Sequence, residues 1–342
     1  MEALFSRMNE STPQPKTAEA AWTTRKLLQW IESHLAAKGV DSPRVCAQML
    51  VCHVLACERM RLYMEADRPA SPDELERLRA LVKRAAQHEP VQYLVGQAWF
   101  WSRAFAVGPS TLIPRPCTEH LVEQAVAAAR AAADAQHAAG RARAARVLEI
   151  GTGTGCVAIC TAAALRGQKR GAEPGTQAPP VGVHVVATDV VPAALELAQA
   201  NARTHQVEAC ITWLAGSLYQ PLVAAGVEQG SFDVLVSNPP YVSAKEYEEL
   251  PQNVRGFEPR SALWGGADGM DVVRPLVASA HLWLKPGGLL AVEVGHHQHD
   301  LALAAARANT QLAEAQMHQD YEGFWRVLTA RRVADRHFAP AG

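Results

Sequence analysis

Short apolar strands alternate with helices from about residue 146 onward, and this alternation constrains the fold more than any other feature of the sequence. Apolar runs bounded by glycine, proline or polar residues predict buried strands, whereas apolar residues at helical spacing predict helices between them. The strands are predicted at residues 146–150, 184–188, 211–214, 232–237 and 288–294, and the helices at 156–165, 192–205 and 270–284. This order predicts an α/β domain with a parallel sheet and helices on both faces.

Polar and glycine-rich segments follow the predicted strands. Gly151, Asp189, Ser217 and Asn238 come directly or closely after the first four strands. In open parallel sheets, ligands bind beyond the carboxyl ends of the strands. The sequence therefore predicts one ligand site, assembled from the loops at this edge.

The first of these loops is glycine-rich, and it consists of Gly151, Thr152, Gly153, Thr154 and Gly155. Glycines let the backbone come close to a ligand, and the helix that follows presents free N–H groups. Dinucleotide-binding loops need Gly-x-Gly-x-x-Gly, but Cys156 stands where the last glycine is required. The spacing favours S-adenosyl-L-methionine as the ligand over a dinucleotide, and a plain tight turn is the third interpretation.

Two further positions suit the adenosine part of such a cofactor. Asp189 ends the second strand, where its carboxylate can accept hydrogen bonds from both ribose hydroxyls. Its alternative role is to cap the helix that begins near Pro192. Leu218 follows the third strand and can pack on the adenine ring, although it could equally anchor the loop. We predict that both residues bind the cofactor.

The fourth strand runs directly into Asn238-Pro239-Pro240-Tyr241. A planar amide or amine nitrogen is a poor nucleophile because its lone pair is delocalised, so methylation requires that lone pair to be aimed at the methyl group. The Asn238 side-chain oxygen and the Pro239 carbonyl, fixed by proline geometry, can accept the two N–H bonds. Tyr241 can stack on the planar group. The motif predicts methyl transfer to a planar nitrogen without a metal ion; the alternative is a rigid turn.

Five segments are predicted along the chain. Residues 1–17 are expected to be a disordered lead-in, 18–89 an N-terminal helical bundle, 90–116 a β-hairpin linker, 117–333 the methyltransferase domain, and 334–342 a tail. The Ala/Arg-rich stretch 131–145 and the polar stretch 166–183 are expected to be surface insertions, and the first is expected to end in a loose loop.

Composition narrows the class of protein only slightly. The 342 residues are 49% hydrophobic and 20% charged, with a net charge of −1, which does not indicate bulk attraction to nucleic acid. Seven cysteines without a Cys-x-x-Cys pair indicate reduced thiols in the cytoplasm. Cys156 and Cys160 are interpreted as core residues on one helix face rather than metal ligands. No apolar run is long enough to cross a bilayer.

Several segments beyond these motifs resemble the release factor glutamine methyltransferases (HemK/PrmC type). The matching segments are residues 89–96, Phe100-Trp101, 112–116, 257–263 and 265–269, together with the Asn-Pro-Pro-Tyr motif. The resemblance extends from about residue 20 to about 332 and includes the N-terminal helical domain. It implies a Rossmann-like class I S-adenosylmethionine methyltransferase domain, an N-terminal helical bundle and a connecting β-hairpin.

The resemblance also implies the reaction. In this family the methyl group goes to the side-chain nitrogen of the glutamine in the Gly-Gly-Gln loop of class I peptide chain release factors, and the N-terminal bundle helps to hold the release factor. The loop 151–155, Asp189 and Leu218 would bind the cofactor, Asn238 would touch both ligands, and residues 239–241 would contact the glutamine. A cytoplasmic monomer without direct contact to nucleic acid or membrane is expected.

Two positions depart from the family pattern. Cys117 stands where the family usually has Glu, which puts the orienting role of that residue in doubt, although Glu119 is nearby. Leu218 replaces a residue that is often aromatic in the family.

Other functions remain open at this point. A sister family that methylates a ribosomal protein glutamine shares Asn-Pro-Pro-Tyr, but its counterpart of residues 113–116 normally lacks the second proline. Amino-methyltransferases of nucleic acid also share the motif, and they would need a basic groove, to which Arg103, Arg115, Arg255 and Arg260 could contribute. A dinucleotide oxidoreductase leaves the motif unexplained, and a non-catalytic binding module leaves both motifs unused.

Overall fold

The computed structural model describes residues 22–140, 144–166 and 182–334, in one compact unit that ends at Val95 and a second that begins at Gly96. The predicted lead-in at 1–17, most of the predicted insertion at 166–183 and nearly all of the tail at 334–342 lie outside these residues. No helix in the described ranges is long and apolar enough to cross a membrane.

The first unit is a helical bundle. Its helices are α1 (Thr24–Ala37), α2 (Pro43–Leu55), α3 (Arg59–Met64), α4 (Pro72–Ala85) and α5 (Val91–Val95). Helix α4 begins at a Ser71 cap: the Ser71 hydroxyl accepts from the Glu74 N–H, and the Glu74 carboxylate accepts from the Ser71 N–H. Two short helices, α3 and α5, were not predicted, because each buries only one or two side chains and so has no clear apolar period.

The second unit contains a small hairpin and an α/β domain. Its strands are β1 (Gln97–Phe100), β2 (Arg103–Ala106), β3 (Ala145–Ile150), β4 (Val183–Asp189), β5 (Ile211–Ala215), β6 (Phe232–Ser237), β7 (Leu284–Glu293), β8 (Leu312–Gln319) and β9 (Trp325–Arg332). Its helices are α6 (Glu119–Ala138), α7 (Cys156–Leu165), α8 (Pro192–Thr204), α9 (Gln220–Ala224), α10 (Ala244–Glu249), α11 (Gln252–Arg255), α12 (Arg260–Leu263), α13 (Val273–Ser279) and α14 (His299–Ala308).

Seven strands form one sheet in the order β5-β4-β3-β6-β7-β9-β8. The strands from β5 to β7 are parallel, as predicted. Two strands that were not predicted complete the other side of the sheet, where β9 runs antiparallel to β7 and β8 antiparallel to β9. Pairing of β8 shifts register twice, and Glu314 within it has a positive φ of 55°. The polar sequence of β8 gave no strand signal, because this outermost strand is largely exposed.

The central strands of the sheet are buried on both faces. Val147 and Val234 belong to a core cluster with α6 and α7, whereas the next residues along each strand, Leu148 and Leu235, belong to a second cluster with α13 and α14. This explains why the central strands read as continuous apolar runs. Cys156 and Cys160 lie in the first cluster and are buried.

Three boundaries differ from the prediction. The hairpin begins at Gln97, after α5, rather than at residue 90. Helix α6 continues past the predicted end near residue 130 to Ala138, because alanine has the highest helix propensity. The helix predicted at 270–284 is shorter: α13 spans Val273–Ser279, and Leu284 already pairs with Phe232 in the sheet.

Candidate active site

A cavity of about 340 Å³ opens at the carboxyl ends of β3, β4, β5 and β6. It brings together most residues predicted for the site, namely Gly151, Thr152, Gly153, Thr154, Asp189, Leu218, Asn238, Pro239 and Pro240. The cofactor loop and the Asn-Pro-Pro segment therefore line one space, as expected for loops that follow neighbouring parallel strands.

The glycine-rich loop turns over the end of β3 with two glycines on the cavity wall. Gly151 has φ +76° and Gly153 φ +53°, a backbone region that side chains rarely adopt. Gly155 also has a positive φ, but it does not line the cavity. A Cβ on Gly155 would lie 3.0 Å from Ile159 Cδ1 and 3.1 Å from Ala198 Cβ, so this glycine serves the packing of α7 against α8.

Asp189 lies on the cavity wall and also contacts the backbone of two neighbouring segments. One carboxylate oxygen accepts the Gly153 N–H at 2.8 Å, and the other accepts the Val191 N–H at 2.9 Å, so the side chain supports the glycine-rich loop and the start of α8. Burial raises the pKa of this carboxyl above its usual value, although the two backbone donors oppose the change.

Leu218 lies on the cavity wall with a positive φ of 49°, which is uncommon for a side chain of this size. It also packs against the second core cluster. Both the predicted contact with a ligand ring and the alternative of a loop anchor are compatible with this position.

Asn238 is held by a hydroxyl group from a different part of the chain. Its Nδ2 donates to Thr118 Oγ1 at 3.0 Å, and Thr118 is buried at the turn before α6. Among the residues that the structure describes, no donor reaches Asn238 Oδ1. The carboxamide oxygen is therefore the end of this side chain that can bind an acceptor amide.

Tyr241 has a different environment from the predicted one. It does not line the cavity. Its hydroxyl donates instead to Glu293 Oε1 at 3.2 Å, and burial raises the Tyr241 pKa well above its usual value. Glu293 lies at the end of β7 and is fully buried. The structure thus gives Tyr241 a supporting position behind the acceptor loop rather than a stacking position in it.

The segment after Pro240 is fixed by a loop of glycines and by Gln298. Gln298 Nε2 donates to the Tyr241 carbonyl at 2.7 Å and to the Asp268 carbonyl at 3.1 Å. A Cβ on Gly265 would lie 2.8 Å from the Pro240 carbonyl oxygen, so the loop packs directly on the acceptor backbone. Sequence reasoning noted the glycines but gave no role to Gln298.

Glu258 joins two segments that carried the family resemblance. Its carboxylate accepts the Ile113 N–H at 3.1 Å and forms an ion pair with Arg115, which lines the cavity. The Glu119 side chain, the nearest alternative to the family Glu at position 117, accepts the Trp101 N–H at 2.8 Å and does not line the cavity. The Cys117 thiol faces Glu293 instead, 3.7 Å from its Oε1.

Glu149 is a cavity residue that the sequence analysis did not select. Its Oε2 accepts from the Thr152 hydroxyl at 2.6 Å and from the Ala158 N–H at 3.0 Å, so it fastens the glycine-rich loop to α7. Burial raises the pKa of Glu149 from 4.5 to about 8. Sequence analysis did not select Glu149 because it lies within a predicted strand, and a single acidic residue in an apolar run gives no indication of its contacts.

This raised pKa predicts a pH-dependent stability. The folded protein keeps the Glu149 proton up to about pH 8, whereas the unfolded chain loses it near 4.5. The stabilisation is therefore complete below pH 4.5 and lost as pH rises to about 8, at about 1.4 kcal/mol per pH unit. We expect chemical denaturation between pH 5.5 and 7.5 to show this slope in the wild type relative to Glu149→Gln, which keeps an acceptor for Thr152 and Ala158. Equal slopes in the two proteins would contradict the assignment.

Comparisons with known proteins agree with this geometry. Residues 26–96 match the family model of the PrmC N-terminal domain, and residues 128–253 match that of the methyltransferase small domain. The chain is 39% identical over 310 residues to the release factor glutamine methyltransferase of Geobacter sulfurreducens, covering 91% of this chain and 97% of the relative. The corresponding protein of Nitratidesulfovibrio vulgaris is 35% identical over 311 residues, with 91% and 95% covered.

A solved structure is also similar. The release-factor-specific protein-(glutamine-N5) methyltransferase of Alicyclobacillus acidocaldarius is 26% identical and matches with a TM-score of 0.35, covering 67% of this chain and 99% of that one.

Proposed function

Since the chain belongs to the release factor glutamine methyltransferase family, we propose that it methylates the glutamine side-chain amide in the Gly-Gly-Gln motif of class I peptide chain release factors. The methyl donor is S-adenosyl-L-methionine. The observation that supports this function best is the single cavity that joins the glycine-rich loop and Asp189 to Asn238, Pro239 and Pro240.

The cofactor half of the cavity suits an adenosine with a charged sulfur. Gly151 and Gly153 leave the backbone uncovered, the Asp189 carboxylate can accept ribose hydroxyls, and Leu218 offers an apolar surface. S-adenosylmethionine supplies a methyl group on a positively charged sulfur, which makes its carbon open to attack by nitrogen. Gly155 contributes by allowing α7 to pack against α8, and it does not line the cavity.

The acceptor half suits a primary amide. Asn238 Oδ1 and the Pro239 carbonyl can each accept one N–H, which orients the nitrogen lone pair toward the methyl carbon. The nitrogen–carbon bond forms as the carbon–sulfur bond breaks, and the nitrogen then loses a proton that has become acidic, so a strong base is unnecessary. Alignment of the two reactants can account for roughly 7–11 kcal/mol of the barrier. Pro240 closes this wall, and Tyr241 supports it from behind.

The partner and compartment follow from the substrate. We propose that the N-terminal bundle helps to hold the release factor, and that the enzyme acts as a cytoplasmic monomer without direct contact to nucleic acid. A ribosomal protein glutamine or a nucleic-acid amino group is the alternative acceptor, since both classes of enzyme share the Asn-Pro-Pro-Tyr motif.

The function is tested by incubating the purified protein with methyl-labelled S-adenosylmethionine and a class I release factor. We expect label on the wild-type release factor and none on a variant in which alanine replaces the Gly-Gly-Gln glutamine, because only this side chain presents the acceptor nitrogen. Scintillation counting and peptide mass spectrometry measure the result.

Two outcomes would contradict the proposal. Label on both release factors would place the methyl group at another residue. Label on neither, with cofactor binding intact by calorimetry, would exclude the release factor and direct the search to ribosomal protein and nucleic acid.

A further inference from the structure

A cluster of buried and half-buried polar side chains lies behind Asn238, in the same unit as the cavity. It consists of Cys117, Thr118, Tyr241, Glu293 and Arg326. Glu293 is at its centre and is fully buried. Burial of a carboxyl group costs free energy unless hydrogen bonds compensate, so the partners of Glu293 indicate its role.

Four polar neighbours of Glu293 each supply a hydrogen or a positive charge. The Tyr241 hydroxyl and the Cys117 thiol both point at Oε1, at 3.2 and 3.7 Å. Burial raises the pKa of Glu293 above its usual value, and the Thr118 hydroxyl, the Tyr241 hydroxyl and the charge of Arg326 oppose that rise. Oε1 acts as the acceptor for both the Tyr241 hydroxyl and the Cys117 thiol.

Thr118 connects this carboxyl group to Asn238. Its oxygen receives the Asn238 Nδ2–H at 3.0 Å, so its own single hydrogen is available for another acceptor. Glu293 Oε2 is buried and, within the described part of the chain, has no hydrogen-bond partner of ordinary length. The Glu293 carboxyl is therefore the acceptor toward which the Thr118 hydroxyl can turn.

The order of donors and acceptors then determines which end of the Asn238 carboxamide faces the cavity. If Glu293 accepts from Thr118, Thr118 can only accept from Asn238, and Asn238 must present its nitrogen to Thr118. An amide rotated by half a turn would place its oxygen against the Thr118 oxygen, with no hydrogen between them. It would also direct N–H groups at the N–H groups of the acceptor.

We propose that Thr118 and Glu293 are positioning residues that fix the Asn238 carboxamide with Oδ1 toward the acceptor amide. This inference rests on the proposed function, because it concerns how the same site binds a glutamine nitrogen. It assigns a purpose to a buried acid that does not touch the cavity and that neither motif of the sequence includes.

The test compares two variants that keep the shape of the Thr118 or Glu293 side chain but change its hydrogen bonds. Thr118→Val removes the hydroxyl, and Glu293→Gln introduces N–H donors that can face Thr118 and reverse the order. We expect each to lower kcat for release-factor methylation by about 10- to 100-fold. The dissociation constant for S-adenosylmethionine should stay within about threefold of wild type, because the cofactor loop is unaffected.

Two further measurements separate positioning from a merely structural role. Thr118→Ser restores the hydroxyl and is expected to recover most of the kcat lost in Thr118→Val. The kcat of the double variant Thr118→Val/Glu293→Gln should be no lower than that of the less active single variant, because the two residues act in series. If Glu293→Gln fails to fold, the Thr118 pair still decides the question.

The inference is overturned if wild type methylates the release factor and Thr118→Val does so with an unchanged kcat. It is also overturned if the loss occurs in cofactor affinity, or if Thr118→Ser is as impaired as Thr118→Val. A wild-type protein that does not methylate the release factor would instead contradict the proposed function, so the two failures are distinguishable.

Discussion

Asn238→Ala is expected to lower kcat for methyl transfer by roughly 100- to 1,000-fold, with little change in the affinity for S-adenosylmethionine. The variant removes Oδ1, the side-chain acceptor that can hold the substrate nitrogen, whereas the glycine-rich loop and Asp189 remain in place. Single-turnover methylation of a release factor measures the chemical step, and calorimetry measures cofactor binding.

A matched control is available in Asn309→Ala. Asn309 Nδ2 donates to the Val277 and Ala278 carbonyls, both at 3.0 Å, and does not line the cavity. It should lose stability but not kcat. Asn238→Ala with activity within about tenfold of wild type would show that the Asn-Pro-Pro segment acts through its backbone alone.

Gly269→Ala is expected to destabilise the fold by about 2–4 kcal/mol more than Gly287→Ala, and to abolish most methylation. Both glycines have nearly the same φ, +78° and +77°, so an alanine at either position is strained by its positive φ. A Cβ on Gly269 would overlap Gln298 Nε2 and the Tyr241 carbonyl oxygen, whereas one on Gly287 meets nothing within 4 Å. Comparison of the two variants therefore isolates the effect of the close contact between Gly269, Gln298 and the Tyr241 carbonyl.

Thermal or chemical denaturation measures the first part of this prediction, and methylation below the melting temperature measures the second. Gly287→Ala should lose about 1 kcal/mol and keep its activity. If the two variants were equally stable and equally active, the contact between Gln298 and Tyr241 would have no role in shaping the site.

The sequence was sufficient to predict the parallel strands and the cavity they create. Strands buried on both faces give unbroken apolar runs, and neighbouring parallel strands must bring their carboxyl ends together. Asp189 and Asn238 were found in this way, 49 residues apart in sequence but on one cavity wall. The outermost strand β8 and helix α14 were missed, because their half-exposed sequences are polar or alanine-rich.

The supporting residues were beyond prediction for a different reason. Thr118 meets Asn238 across 120 positions of sequence, and Gln298 meets Tyr241 across 57. Neither pair has a spacing that a local pattern could reveal. The same limitation affected Tyr241 and Gly155, whose residue types suited ligand contact. The Tyr241 hydroxyl instead contacts Glu293, and Gly155 packs against Ile159 and Ala198.

The irregular pairing of β8 has a consequence for how the sheet ends. A straight outer strand presents a row of unpaired N–H and C=O groups that can recruit a strand from another molecule. In β8, the two register shifts and the left-handed Glu314 interrupt that row, and Glu314 places a charged side chain on it, near Arg331. This edge is therefore a poor template for aggregation. The two antiparallel strands extend the sheet without leaving a regular edge strand with which another molecule could pair.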